Sequence, residues 1–381
     1  MLRAYKYRLY PNKDQQILLA KHFGCCRWVY NWALAEKIKA WENGKYLLSR
    51  YELSAQLPSM KDLEATSWLG EVNAQSLQQE LVCLEMSYSK FFKEKKGFPN
   101  FKSRHGRQRF ICPQHVTFNG AALAFPKLGS IVAVIDRQFI GKIKTVVVSK
   151  VPSGKYFASV LVDNGIALPT AKKHMAKTTI GIDLGLKDFA ALSTGEKVKN
   201  PRHLKQDLAR LKREQRRLSR KKRGSNNRNK QRVRVAKVHE RIANRRNDFL
   251  HKLSTRLIRE NQALAFETLS VSGMLKNRKL ARHIADVGWR TFIDFCKYKA
   301  SWYGKTILEI GPFMPSSRLC TCGVINHELT LADRTWTCKS CGATHDRDIL
   351  AAQNIKRMAL HPKNYVRLGK PELMPVEAVN G

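Results

Sequence analysis

The chain has 381 residues, enough for two or three domains and a sizeable core. Lys and Arg number 70 against 30 Asp and Glu, a formal charge of +40. An excess this large excludes an ordinary mixed-sign surface and calls for a polyanion, with nucleic acid ahead of an anionic membrane or a ribosomal-type structural role. The longest apolar runs, such as 131–135 and 263–266, are strand-sized and too short to span a bilayer. Residues 1–6 show no apolar signal-peptide core, and the nine cysteines are odd in number and clustered late. Both features point away from secretion with a disulfide framework and toward the cytosol.

Residues 2–10 alternate like a strand that Pro11-Asn12 closes. From Lys13 to Phe92 the period becomes helical, with Leu18, Leu19, Phe23, Trp28, Val29, Trp32 and Leu34 on one stretch and Leu77, Leu81, Leu84 and Tyr88 on another. Between 110 and 168 the pattern turns to short β-rich runs separated by turn signals such as Asn119-Gly120 and Ser153-Gly154. A small β-barrel or curved sheet, completed by the N-terminal strand, is the expectation. The polar run 169–177 reads as a linker, and 179–194 as strand, tight turn and strand. Residues 202–246 hold 19 Lys or Arg among 45 positions, opposed only by Asp207, Glu214 and Glu240. A leucine stripe, Leu204, Leu208, Leu211 and Leu218, breaks at Gly224-Ser225-Asn226-Asn227 and resumes from Val233 to Leu253. This reads as a basic helical hairpin with one packed face; the competing reading is a solvated coiled coil.

Three acids stand where acids are costly. Asp183 follows the apolar run 179–182, Glu267 ends the run 264–266, and Asp348 opens a helical pattern over 349–355. Converging carboxylates suit one or two Mg²⁺ ions, which take oxygen ligands and leave room for water and phosphate. On pattern alone Asp348 could equally cap its helix, and Glu267 could be a strand-end surface residue. Late in the chain, Cys320-Thr321-Cys322 and Cys338-Lys339-Ser340-Cys341 are separated by 15 residues, the spacing of a structural zinc ribbon. The first pair has a one-residue gap, so a degenerate finger held by Trp336 competes with zinc, and His327 is a candidate substitute ligand. Cys25, Cys26, Cys83, Cys112 and Cys296 lack metal spacing and read as buried small residues. Basic and aromatic residues interleave at Tyr5-Lys6-Tyr7-Arg8 and Arg27-Trp28-Val29-Tyr30, as in stacking grooves for nucleic acid, although helix-spaced tryptophans are more often core.

The segment Gly181-Ile182-Asp183-Leu184-Gly185-Leu186-Lys187-Asp188-Phe189 resembles the first RuvC motif of TnpB proteins, the transposon relatives of type V CRISPR effectors. Phe266-Glu267-Thr268-Leu269 is similar to the second motif, and residues 345–355, beginning His345-Asp346-Arg347-Asp348, to the third. Arg217-Leu218-Ser219-Arg220-Lys221-Lys222, 242–253 and Pro99-Asn100-Phe101-Lys102 also fit, so the likeness runs from 1 to about 358. It implies an RNA-guided, Mg²⁺-dependent DNA endonuclease of an insertion sequence, with Asp183, Glu267 and Asp348 as catalytic metal ligands and Asp346 as a nearby alternative. It also implies Zn²⁺ on Cys320, Cys322, Cys338 and Cys341. A guide RNA from the transposon end would read target double-stranded DNA beside a short adjacent motif, in a cytoplasmic, nucleoid-associated monomer bound to its RNA. Asn73, Gln75, Ser76 and Gln79 fall near the motif-reading region, and Arg217, Arg220, Lys221 and Lys222 in the basic hairpin would contact nucleic acid. Helix capping explains Asn73 or Ser76 equally well.

The implied fold is α+β and multidomain. A β-barrel wedge domain (1–12 and 110–170) carries a helical recognition insertion (13–109). An RNase H-like RuvC α/β nuclease domain (178–314 and 343–358) follows, with its basic hairpin at 202–253 and a zinc-ribbon insertion at 315–342; an irregular tail covers 359–381. Two departures stand out: Leu350 replaces the family's usual Asn, and the first cysteine pair is one residue short. If that Asn supports the carboxylate, Leu350 loosens the site, which leaves a nuclease-impaired, guide-directed DNA-binding protein as the alternative. A strand-joining transposase is the third reading, which the resemblance opposes.

Overall fold

The computed structural model describes residues 1–362 apart from His174, Phe313 and Leu331, and apart from the side chain of Ser272. Most of the expected tail lies outside the described residues; its start does not, because the last helix continues to Leu360. The chain divides into two compact units, Met1–Ala167 and Leu168–Gly381. Among the described residues no helix is long and apolar enough to cross a membrane.

In the first unit, β1 (Leu2–Tyr10) leads through an Asn12–Gln15 capping box into one 32-residue helix, α1 (Lys13–Gly44). Next come α2 (Arg50–Asp62), a 3-10 turn (Glu64–Glu71) and α3 (Ala74–Glu94). The strands are β2 (Gln108–Cys112), β3 (Thr117–Phe118), β4 (Ala122–Phe125), β5 (Gly129–Val134), β6 (Lys142–Lys150) and β7 (Tyr156–Asp163). Their order is β2-β6-β7-β1-β5-β4-β3, so the N-terminal strand sits at the centre. The barrel alternative is corrected here: β2 and β3 are unjoined edges, and a two-residue β3 offers too little ladder to close the sheet. Leu19, Phe23, Val29 and Leu34 of α1 share one core with Leu77 and Leu81 of α3 and with Phe110, Val146 and Val160 of the sheet.

The second unit opens with β8 (Thr179–Leu184), β9 (Asp188–Leu192) and β10 (Lys197–Lys199). The paired helices α4 (His203–Ser219) and α5 (Asn226–Glu260) come next, then β11 (Ala263–Glu267). Short α6 (Val271–Met274) and α7 (Ala281–Val287) precede α8 (Trp289–Tyr303) and β12 (Thr306–Ile310). A small hairpin, β13 (Thr335–Thr337) and β14 (Thr344–Asp346), delivers the chain into α9 (Arg347–Leu360). The sheet order is β10-β9-β8-β11-β12, antiparallel on the β9 side of β8 and parallel on the β11 side. Both faces are covered, which is why β8 and β11 read as unbroken apolar runs. Ile180, Ile182, Leu264 and Phe266 pack against Leu253 and Leu257 of α5 and Phe292 of α8. Ala265 faces the other way, toward Ile355 and Met358 of α9.

Candidate functional site

Gly181 explains how the acids meet. A Cβ at this position would lie 2.0 Å from the carbonyl oxygen of Ala352 and 2.8 Å from the nitrogen of Lys356, so α9 crosses β8 where only glycine fits. Side chains two apart on a strand share a face, which directs Asp183 to the α9 side. Asp348 lies one helical turn before Ala352 and reaches the same end of the sheet. The parallel register pairs Ala265 with Gly181 and Phe266 with Ile182. Glu267 therefore stands next to Asp183 on that face, and both hydrogen bonds from Thr268, backbone and hydroxyl, go to Ile310 O at 3.2 and 2.7 Å.

The electrostatics record this crowding. Burial pushes the Asp183 carboxyl up to about 7, the negative charges of Asp348 and Glu267 add to the rise, and Arg347 opposes it. Burial raises Glu267 too, against a hydrogen bond from Ser316. Arg334 Nη1 and Arg347 Nε approach the two oxygens of Asp348 at 3.6 and 3.5 Å. Arg334 reaches the acid across the β13–β14 hairpin, a proximity that carries no local sequence signal. The helix-cap alternative for Asp348 is resolved: Asp346 is the cap, its Oδ1 accepting from the backbone of Asp348 and Ile349 at 3.1 Å each, while Lys197 binds its other oxygen at 2.7 Å. Asp346 is thus committed elsewhere. An all-oxygen donor set of three carboxylates, its negative charge only partly offset by Arg334 and Arg347, fits a hard divalent cation.

The four cysteines converge. Among the described residues they are the one group of potential ligands whose atoms all lie within 4.8 Å of one another; the three acids are spaced more openly. Sγ–Sγ separations of 3.6 Å (Cys320–Cys341) and 3.7 Å (Cys322–Cys338) approach the edge of about 3.8 Å set by tetrahedral Zn–S bonds of about 2.3 Å. The short gap between Cys320 and Cys322 therefore does not keep the four sulfurs from gathering within 4.8 Å, which is consistent with a zinc site. Burial would raise the Cys320 thiol, but hydrogen bonds from the Cys322 backbone, His345 and neighbouring thiols hold it below the usual thiol range, and the same shared bonds push its partner Cys341 up. His345 Nε2 lies 3.1 Å from Cys320 Sγ, whereas His327 is exposed. Leu350 packs with Cys320, Leu329, Trp336 and Cys338. Two residues along a helix differ by about 200°, so Leu350 points away from Asp348, and its expected role beside the carboxylate is corrected.

The other expected contacts divide. Asn73 and Ser76 are buried. Asn73 caps α3 by accepting from Gln75 N at 3.2 Å, and its amide donates to Ser76 Oγ at 3.3 Å. Its backbone N–H donates to His22 Nε2 at 3.2 Å. Neither side chain is free for a base edge, which corrects the expectation for Asn73 and Ser76; Gln75, whose amide donates to Gln114 Oε1 at 3.2 Å, and Gln79 stay partly exposed. Trp28 stacks on Trp32 and meets Trp68 edge-on, partly buried against the core. On β1, Tyr7 is buried with its hydroxyl on Arg137 O at 2.6 Å, while Lys6 lies over the Phe157 ring at 4.4 Å. Arg217, Arg220 and Lys222 are exposed around the turn from α4 to α5, and Lys221 is partly so. Arg228 was not foreseen; it closes that turn by donating to Leu218 O and Lys221 O at 2.9 and 3.0 Å.

The architecture is that of a mixed α/β multidomain protein. A solved Cas12f1–sgRNA–target DNA complex shares the fold, with a TM-score of 0.56 at 13% identity over 93% of this chain and 98% of that one. Sequence places the chain more finely. Residues 157–278 match the OrfB_IS605 profile, described as a probable transposase, and 289–355 match a Cas12f1-like TNB domain. Residues 1–46 match a profile described as a helix-turn-helix domain, although here they form a strand followed by one continuous helix. A Streptomyces pristinaespiralis protein named an RNA-guided DNA endonuclease is 41% identical over 93% of this chain and 88% of its own. InsQ of Escherichia coli K12, carrying the same description, is 32% identical over 93% of this chain and 91% of its own. The chain belongs to the TnpB family.

Proposed function

We propose that the protein is an RNA-guided DNA endonuclease of an insertion sequence, using a guide RNA derived from the transposon end and cutting double-stranded DNA beside a short motif. The observation that carries this reading is the gathering of Asp183, Glu267 and Asp348, from β8, β11 and α9, onto one face of the sheet. Antiparallel β10-β9-β8 continued by parallel β11 and β12 is the order expected of an RNase H-like RuvC core. Mg²⁺ held there would activate water and stabilise the departing 3′-oxygen. The chain's own part is to align the carboxylates, which β8, β11 and the crossing of α9 at Gly181 do together. Zn²⁺ on the four cysteines would fix the segment between β12 and α9.

All three acids are retained and grouped, and Leu350 faces the cysteine knuckle, so neither observation supports the nuclease-impaired alternative. The test is cleavage of a guide-matched plasmid in Mg²⁺ with target binding measured in parallel. Asp183→Ala, Glu267→Ala and Asp348→Ala should each abolish cleavage while binding stays within about threefold, because a metal site works as a unit. Asp346→Ala should be milder. Full cleavage by Asp183→Ala would overturn the assignment, and wild-type protein that binds but never cuts would favour the repressor-like alternative.

A further inference from the structure

The segment Pro99-Asn100-Phe101-Lys102 follows α3 and is tied back onto the helices. Asn31 of α1 brackets the Lys102 backbone, its side-chain oxygen accepting from Lys102 N at 2.7 Å and its amide donating to Lys102 O at 3.0 Å. The Lys102 ammonium lies 3.7 Å from the Tyr30 ring centroid and pairs with Glu80 of α3. Glu80 is only 1% exposed, so Lys102 cancels the buried charge where it stands. Beside this pair is a pocket of about 270 Å³, whose lining includes Phe23 and Arg27 of α1, Glu80, Lys102, Arg107, and Arg109 of β2. Phe23 and Glu80 are buried and close its floor, while Arg107 is exposed at its mouth. With Glu80 neutralised, three guanidinium groups remain, and among the described residues none of them pairs with a carboxylate. Arg27 and Arg109 are partly buried, where a charge without a counter-charge is costly. The pocket is built for an anion.

Planar guanidinium forks match phosphate oxygens two at a time. A pocket closed at its floor admits the end of a strand, whereas a continuous backbone needs a groove to run through. A terminal phosphate also carries about −2 at pH 7, against about −1 for a phosphodiester, and so suits three cations better. We propose that this pocket holds the 5′-phosphate at the end of a nucleic-acid strand, with Arg27, Arg107 and Arg109 on its oxygens. The choice of the 5′ end rests on the proposed cleavage, in which the 3′-oxygen departs and the phosphate stays on the 5′ side of the cut. A processed RNA can carry the same group, and the pocket takes the group from either strand.

The experiment uses the full chain with its copurified RNA and no added Mg²⁺, so that binding is read apart from cleavage. The complex is first treated with phosphatase and the 5′ end of the RNA is assayed. A 5′-phosphate that resists removal in the wild type, and is removed in Arg27→Ala or Arg109→Ala, makes the RNA end the occupant. Where the RNA end is removed freely, short oligo-dT strands ending in 5′-phosphate, 3′-phosphate or hydroxyls alone are compared by fluorescence anisotropy. The 5′-phosphorylated strand should bind about 10-fold tighter than the other two, the scale of charge-assisted hydrogen bonds. Arg27→Ala, Arg107→Ala and Arg109→Ala should each reduce that ratio, and Arg109→Lys should keep part of it. Arg107 is exposed, so its variant keeps the fold even if the others do not. Arg220→Ala in the α4–α5 hairpin should weaken all three strands alike and leave the ratio unchanged. Equal binding of the 5′-phosphate and hydroxyl strands, with an RNA end open to phosphatase, overturns the pocket. A preference that the three arginine variants leave intact does the same. Tighter binding of the 3′-phosphate overturns the choice of end. Failure of the carboxylate site would show in the plasmid cleavage assay and leave these ratios as they are.

Discussion

Asp183 is the residue whose chemistry is most exposed to conditions. Its carboxyl is raised to about 7 by burial and by its two acidic neighbours, against an ordinary value near 3.9 in an unfolded chain. A raised carboxyl binds its proton more tightly when folded, so its stabilising share is full below about pH 4 and is lost as pH rises through about 7. Metal-free protein should therefore lose Tm between about pH 4 and 7, and Asp183→Asn should flatten that slope. Mg²⁺ should restore wild-type Tm most at pH 8 and leave the variant unmoved; differential scanning fluorimetry with and without EDTA reads this. Asp183 was legible because an acid inside an apolar strand needs a reason. The roles of Asp346 and Leu350 were not, since helix-phase neighbours look alike until their surroundings are known. Leu350→Asn illustrates the difference. Placed among Leu329, Trp336 and the cysteines, the amide should cost about 3 kcal/mol and speed zinc loss rather than raise activity. Wild-type Tm with faster cleavage would restore the carboxylate-support reading.

Among the elements, the α4–α5 hairpin shows how a run of like charge folds. Its two buried acids face inward, Asp207 meeting Arg245 at 3.1 Å and Glu214 accepting from Gln231 at 2.7 Å. The seam between them is lined by Leu211, Val235, Val238 and Ile242. The inward acids leave the outward faces even more positive than the composition suggests, so the segment is built to meet phosphates. Replacing Arg217, Arg220, Lys221 and Lys222 together by Ala should leave Tm within about 2 °C, since surface changes cost little. The same change should reduce the slope of log affinity for RNA against log salt by about 3, at roughly 0.7–0.9 per lost phosphate contact. An unchanged slope would remove these side chains from the interface. The leucine stripe and its glycine break made this hairpin readable, and the cysteine spacing did the same for the knuckle. Closure of the N-terminal sheet was not readable, because pairing of short edge strands such as β3 is decided by tertiary neighbours rather than by alternation. For the knuckle, Cys338→Ser with Cys341→Ser should remove about one zinc per chain by mass spectrometry or metal analysis. A zinc-free wild-type protein grown with ample metal would establish the finger held by Trp336 and packing.

At the scale of the molecule, +40 over 381 residues decides what the protein can be when alone. Self-repulsion of that size opposes compaction unless counterions or a polyanion supply the missing charge. Bulk RNA would serve for charge alone, so charge does not distinguish a guided nuclease from a general RNA binder. Shape does: contacts to a folded RNA include geometry-dependent terms that survive when salt has screened the phosphates. Protein purified through high salt should therefore retain one discrete, structured RNA, and sequencing should map it to the end of the element that encodes the chain. Removing that RNA should lower Tm and promote aggregation, and adding it back should reverse both, whereas an unrelated RNA of equal length should do so only below about 0.1 M salt, where screening is weak. Protein that is stable and monodisperse after nuclease treatment, and that binds both RNAs equally at every salt concentration, would remove the guide from the proposed function while leaving the carboxylate site to be judged on its own test.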